Sequence, residues 1–332
     1  MTRAHRAGEL PLVVRSVLLL LVAAPALGET PDRPSALKRM ELVMGPLPAP
    51  DRKEPLAVRV ASEEKLEGYV RKKLTYAAEA GDRVPAYLLV PTNFTGKRPA
   101  MLCLHQTVAI GKGQPVGLDK DVNKHYALEL VKRGYVCLVP DYPSFGDYTY
   151  DFKTGPHASG TMKAIWNNAR GVGLLRSLPE VAGDRIGAIG HSLGGHNALF
   201  TAAFDERIKA VVTSCGFCSF AKYYGGNVSG WTSDRYMPRI ATVYAKDPKK
   251  VPFDFTDVLI AVAPRAVFVV APVKDDNFAV EGVRDVIRVA KPVYEGLKAA
   301  DELQVRYPDC GHDFPPEERK AAYEFLDKRL RP

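Results

Sequence analysis

Short, wholly apolar runs separated by amphipathic stretches set the rhythm of this chain. Residues 99–105, 135–140, 185–189, 208–214 and 266–271 are nearly continuous in apolar side chains and too short to be helices. That is the pattern of strands buried on both faces. Between them, residues 122–133 place Tyr126, Leu128, Leu130 and Val131 at helical spacing and stop at Gly134. Residues 162–178, 193–204, 280–297 and 316–330 read as further helices, and 303–307 as a last strand. Residues 69–78 and 84–90 flank the short turn Glu79-Ala80-Gly81-Asp82-Arg83 and read as an antiparallel hairpin. Strands alternating with helices predict an α/β fold: a mainly parallel central sheet flanked by helices on both faces.

Two stretches break the rhythm. Residues 29–68 are rich in proline and charge with weak periodicity, and read as a lead-in or linker with one helix near 35–44. Residues 217–264 scatter Phe220, Tyr223, Tyr224, Trp231 and Tyr236 among glycines and charges. Long irregular segments after a sheet strand commonly carry binding function. Trp231 and Tyr236 are therefore candidate pocket residues, with a packed structural excursion as the other reading. The expected organisation is a leader over 1–28, the lead-in over 29–68 and one catalytic-size domain over 69–332, with 217–264 as a pocket-forming insertion.

Composition narrows the class. The chain has 332 residues, 46% hydrophobic and 25% charged, which is ordinary for a globular domain. At the N-terminus Arg3, Arg6 and Arg15 precede the apolar run 17–24, and Ala26-Leu27-Gly28 follows as a small-x-small cleavage site. This is the pattern of a secretory signal, predicting a secreted or periplasmic protein cleaved near Gly28. No later segment is long and apolar enough to span a bilayer. Losing three arginines and one glutamate with the leader lowers the formal charge from +8 to +6. No cluster of lysines builds a nucleic-acid patch. Cys103 and Cys137 lie in apolar runs, and Cys215-Gly216-Phe217-Cys218 is a lone CxxC without the second pair a zinc site needs. A local disulfide or two unlinked thiols fit it. No EF-hand loop, Walker A loop, GxGxxG or HExxH is present, so neither metal nor cofactor is expected.

The chemistry centres on Gly190-His191-Ser192-Leu193-Gly194, set between the run 185–189 and the helix-like 193–204. A Gly-x-Ser-x-Gly in that setting resembles the nucleophile elbow of the α/β-hydrolase superfamily. The turn is so tight that the flanking positions must be small, and it lifts the serine hydroxyl above the sheet. In this superfamily the partners follow in the order serine, acid, histidine. Of seven histidines, His5, His105, His125, His157 and His191 precede Ser192, and His196 lies on the helix that follows it. His312, in Asp309-Cys310-Gly311-His312-Asp313-Phe314-Pro315, remains as the base. The acid should follow a buried strand. The run 266–271 leads into Lys274-Asp275-Asp276-Asn277-Phe278, and Asp275 is favoured, with Asp276 as the alternative. The oxyanion hole needs two backbone N–H groups. Leu193 supplies one; the loop after 99–104 reads His105-Gln106-Thr107 where many relatives have His-Gly-Gly, and Thr107 is the expected second donor. Gln106 is the next candidate donor, His105 is expected as a structural hydrogen-bonding residue of the hole, and both are expected at the substrate pocket.

Together with Val139-Pro140-Asp141-Tyr142-Pro143 and Gly311-His312-Asp313-Phe314-Pro315, these motifs are similar to dienelactone-hydrolase and acetyl-xylan-esterase-like proteins over residues 69–330. The resemblance implies an α/β-hydrolase fold and a cofactor-free serine esterase. Its substrate would be a small-molecule or carbohydrate ester, with no nucleic-acid partner. A serine at the elbow, where dienelactone hydrolases proper carry a cysteine, favours the esterase side. A peptidase using the same triad, and a binding protein on a hydrolase fold, are the competing readings.

Overall fold

The apolar runs assemble into one twisted sheet in the computed structural model, which describes residues 32–48 and 54–331. The leader expected over 1–28 lies outside the described residues. The elements, in chain order, are α1 (Arg33–Met44), β1 (Arg59–Leu66), β2 (Tyr69–Glu79), β3 (Asp82–Pro91), β4 (Arg98–Leu104), α2 (Tyr126–Lys132), β5 (Val136–Pro140), α3 (Gly160–Ser177), β6 (Val181–His191), α4 (Leu193–Phe204), β7 (Ile208–Ser214), α5 (Arg239–Thr242), α6 (Phe255–Val262), β8 (Ala266–Val270), α7 (Val280–Gly296), β9 (Leu303–Arg306) and α8 (Pro316–Leu330).

The sheet order is β1-β2-β3-β5-β4-β6-β7-β8-β9. The first three strands and their junction with β5 are antiparallel, and all later pairings are parallel. Strand order reverses at β4, which has β5 on one side and β6 on the other. The carboxyl ends of β4 and β6 therefore open a crevice at the topological switch point, the usual ligand position of such sheets. Residues from α2 and α8 bury one face of the sheet; residues from α1, α3, α4, α6 and α7 bury the other.

Three local outcomes differ from the sequence reading. The stretch expected as lead-in contributes α1 and the edge strand β1. Seven of the eight side chains of β1 are exposed, so it carries no apolar period to read; it is held by backbone pairing to β2 and by the cross-strand ion pairs Glu64–Arg71 and Glu63–Lys72. The helix expected over 122–133 starts at Tyr126; residues 122–124 form a separate 3₁₀ turn, and His125 bonds sideways to Asp119 at 2.8 Å. The expected insertion 217–264 ends in α6, a core helix. Its start is a capping box in which Asp254 accepts from the first-turn backbone and Asp257 accepts from the Asp254 N–H at 2.9 Å. Arg39 Nε donates to Asp257 Oδ1 at 2.9 Å and docks α1 on α6. All five cysteines are free thiols.

The centre of the second layer is an aromatic stack. Phe255 is fully buried, stacked on Phe200 (5.4 Å between ring centroids) and on Phe217 (5.1 Å), with Phe220 edge-on at 5.8 Å. Truncating such a ring removes its transfer free energy and leaves a cavity the neighbours cannot fill. Phe255→Ala should cost about 3–5 kcal/mol. Urea unfolding is expected to show a lower midpoint at unchanged slope, and a loss under about 1 kcal/mol would contradict this account of the layer.

Candidate active site

Ser192 links β6 to α4 in a positive-φ conformation, φ 53° and ψ −118°, that of the first central residue of a type II′ turn, where glycine is the usual residue. Its N–H donates to Ser214 O on β7 at 2.8 Å, which fixes the strained residue to the neighbouring strand. The space around it admits only hydrogen atoms. A Cβ on Gly190 would lie 2.2 Å from the Gly194 carbonyl, and one on Gly194 would lie 1.9 Å from Leu104 O. Leu193 opens α4, so its N–H is one that a helix leaves without an intrahelical acceptor. The positive end of the helix dipole lies at the same point.

His312 and Asp275 meet across the loops that follow β9 and β8. His312 Nδ1 lies 2.9 and 3.0 Å from the two Asp275 oxygens. A carboxylate only accepts, so Nδ1–H donates and Nε2 keeps its lone pair. The Asp275 side chain is 1% exposed. Burial pushes its carboxyl up, but the His312 hydrogen bond and charge, with the Phe278 and Asn277 amides, outweigh this and hold it below the ordinary carboxylate value. Those amides donate to Asp275 Oδ1 at 3.0 and 2.8 Å. Asp276 is exposed. The histidine loop has its own anchor. Lys124 Nζ and Asn123 Nδ2 donate to the next carboxylate, Asp313, at 2.5 and 2.7 Å. His312 rests 4.9 Å from the His191 ring, next to Ser192 in sequence, and 6.0 Å from the Phe278 ring.

Ser192, Leu193 and Thr107 line one cavity of about 70 Å³, with Trp231 and Tyr236 in its wall. His105 and Gln106 do not line it. His105 is buried with both ring nitrogens committed to backbone: Nδ1–H to Gln106 O at 2.6 Å, and Nε2 accepting from Tyr142 N at 2.9 Å. Gln106 turns outward and donates to Gln114 Oε1 at 2.9 Å. Their place is structural, because the loop carrying Thr107 must be pinned to the turn after β5. A buried ion pair completes that pin. Lys112 Nζ meets Asp141 Oδ2 at 2.5 Å, and the Lys112 and Asp147 backbone N–H groups donate to the same carboxylate at 2.8 and 2.9 Å.

The structure adds wall residues that the sequence reading had left aside: His196, Tyr223, Gly230, Asn277 and Phe278. His196 had been set aside as a base because it follows Ser192 on the same helix; that spacing, one turn on, is what brings it to the cavity. Its Nδ1 lies 3.3 Å from Gly216 O and its ring packs 4.8 Å from Trp231. Burial pushes its ionisation down to about 3, with the Gly216 carbonyl opposing weakly, so it is neutral near pH 7. His191, fully buried on the other side of Ser192, faces Ser214 Oγ with Nδ1 at 3.1 Å, while its Nε2 has no hydrogen-bond partner. A buried nitrogen left unpaired costs about 1–3 kcal/mol.

Comparison with known proteins agrees with this fold. The family model described as "Glucuronyl esterase, fungi" matches residues 146–298, a segment that contains Ser192 and Asp275 and stops before His312. The chain is 28% identical over 307 residues to "Putative hydrolase YtaP" of Bacillus subtilis, covering 88% of this chain and 98% of that protein. A glucuronoyl esterase from Solibacter usitatus superposes with a TM-score of 0.71 at 19% identity, over 89% of this chain and 91% of that one. Acetyl xylan esterase 1 from Thermoanaerobacterium superposes with a TM-score of 0.60 at 19% identity, over 89% and 99%.

The neutral His196 makes stability depend on pH. An unfolded imidazole takes up a proton as pH falls below about 6.5, and the folded one waits until about 3. The unfolded state thus binds more protons in that window, and the contribution is complete above 6.5 and lost on acidification. Relative to His196→Gln, the wild type should lose about 1 kcal/mol of unfolding free energy per pH unit below 6. Urea titrations at pH 7, 6, 5.5 and 5 read this, and a pH-independent gap would contradict it.

Proposed function

We propose that this chain, an α/β-hydrolase, is a serine esterase that cleaves a carboxylic ester of a small molecule or carbohydrate through an acyl-enzyme. The observation that carries the reading is Ser192 at a strained strand-to-helix elbow, together with His312 oriented by the buried Asp275 carboxylate. Ser192 Oγ attacks the ester carbonyl. His312 Nε2 takes the hydroxyl proton and returns it to the leaving alcohol, while Asp275 holds the imidazole in the tautomer that leaves Nε2 free and stabilises the imidazolium. The N–H groups of Leu193 and Thr107 receive the oxyanion. Water then repeats the sequence and releases the acid. Every proton and electron pair is handled by the chain's own groups.

The cavity supports a short, uncharged acyl group. Its volume is about 70 Å³, and no Lys, Arg, Asp or Glu among the described residues lines it. Trp231 Nε1 is buried without a protein partner. The aromatic walls and the esterases this chain is similar to favour an acylated sugar, and the leader-like N-terminus favours action outside the cytoplasm.

Ser192→Ala should lower kcat on p-nitrophenyl acetate by about 10⁶ while leaving the fold intact by circular dichroism. A fluorophosphonate should label wild type and not this variant. Retention of a tenth of wild-type activity would remove Ser192 from its role, and turnover of peptide anilides in place of the acetate would make the protein a peptidase.

The two neighbouring carboxylates separate cleanly. Asp275→Asn should cut kcat by about 10⁴, since the amide cannot stabilise the imidazolium and favours the wrong tautomer. Asp276→Asn, exposed and outside the pair, should cost less than about tenfold. Reversed effects would move the acid to Asp276.

A further inference from the structure

His191, Cys215 and His312 come together in a way the ester chemistry does not use. One ring nitrogen of each histidine and the Cys215 Sγ all lie within 4.8 Å of one another, and no other such group of His, Cys, Asp or Glu occurs among the described residues. We propose that this trio binds a thiophilic divalent cation of the Zn²⁺ or Cd²⁺ class and that the bound cation arrests the esterase by taking its histidine. The arrest rests on the esterase reading above; the binding does not.

Donor chemistry, geometry and charge agree. Two imidazoles and a thiolate are the borderline-soft set that selects Zn²⁺ over Mg²⁺ or Ca²⁺. Metal bonds of about 2.0–2.3 Å place tetrahedral ligands roughly 3.3–3.7 Å apart. The trio therefore needs to contract by about 1 Å. His191 is fully buried with Nε2 lacking a partner, a nitrogen free to take a ligand. Cys215 sits in a left-handed conformation (φ 47°) that turns its thiol inward, where it donates to Asp313 O at 3.3 Å. Burial and the neighbouring Asp275 carboxylate push the free Cys215 thiol up and keep it protonated; once a cation displaces that proton, carboxylate and thiolate together balance its two positive charges. On binding, the Cys215 S–H bond breaks, its proton leaves to buffer and an S–metal bond forms. At His312 either nitrogen suffices for arrest. Bound at Nε2, the cation occupies the lone pair that receives the serine proton; bound at Nδ1, it displaces the proton donated to Asp275, which moves to Nε2 and leaves no lone pair for the serine proton.

The test uses the mature chain with Cys310→Ser, which removes the only cysteine that is not buried. CdCl₂ is titrated while the ultraviolet thiolate-to-cadmium absorption, the melting temperature and p-nitrophenyl acetate hydrolysis are followed. One equivalent should produce the band, raise Tm and lower activity at least tenfold, with EDTA restoring it; ZnCl₂ should inhibit likewise. Cys215→Ala should keep metal-free activity within threefold, lose the band and need at least tenfold more cation for the same inhibition. His191→Asn, which can keep a bond to Ser214, should also weaken binding at least tenfold and covers the case in which Cys215→Ala does not fold. Ser192→Ala should keep the band and the Tm shift, so a failed esterase reading would not be mistaken for a failed site. Absence of the band in the parent protein, or equal inhibition of parent and Cys215→Ala, would overturn the proposal.

Discussion

The close passage of three backbone segments at Gly194 is the constraint on which the rest of the site depends. Leu104 at the end of β4 lies beside Gly190 in the parallel register, and its carbonyl would be 1.9 Å from any Cβ at Gly194. The end of β4 and the start of α4 can press together only because neither glycine carries a side chain. That contact puts the loop bearing Thr107 and the first N–H of α4 on the same side of Ser192. It also forces Ser192 into its positive-φ strain, which surrounding backbone bonds overdetermine.

Around this tight centre, loops rather than strands hold the working groups, and buried charge holds the loops. Asp141 gathers the Thr107 loop through Lys112 and two backbone amides. Asp313 fastens the His312 loop to the 3₁₀ turn at 122–124 through Lys124, a lysine only 4% exposed. Removing one partner of such a pair strands a buried charge, at about 3–5 kcal/mol. A similar device appears at Lys163, which reaches Asp82 at 2.5 Å and Glu79 at 2.8 Å and ties α3 to the β2–β3 hairpin. The positions in the cavity itself are neutral, so charge is spent on geometry outside the pocket and kept out of it.

The insertion after β7 has the opposite character. It is held by ring contacts: Trp231 lies within 6.3 Å, centroid to centroid, of His196, Phe220, Tyr223, Tyr236, Phe255 and Phe278. One face of that cluster continues the core through Phe255 and the other is the cavity wall. Pocket shape and layer packing are therefore set by the same rings.

From Tyr69 onward the sequence alone determined the order of strands and helices, except for α5 and α6 in the stretch that reads as irregular. Continuous apolar runs can be satisfied only by burial on both faces, and Gly-x-Ser-x-Gly between a run and a helix leaves one local geometry for the chain. It also singled out Asp275 and His312 as partners to consider, by their order and by the apolar strand before the aspartate. It was silent where partners are distant or pattern is absent. The β1 strand has exposed, charged positions and no period. Lys124 and Asp313 are 189 residues apart, and nothing local to either announces the other. The motif marked His105 as a hydrogen-bonding residue of the loop, but only the fold shows that its ring nitrogens are taken by Gln106 O and Tyr142 N and that neither it nor Gln106 lines the cavity. His196 entered the pocket wall, and His191, Cys215 and His312 came within reach of one another, because three strand ends converge at the switch point. Such convergence is a property of sheet topology, and no spacing along the chain encodes it.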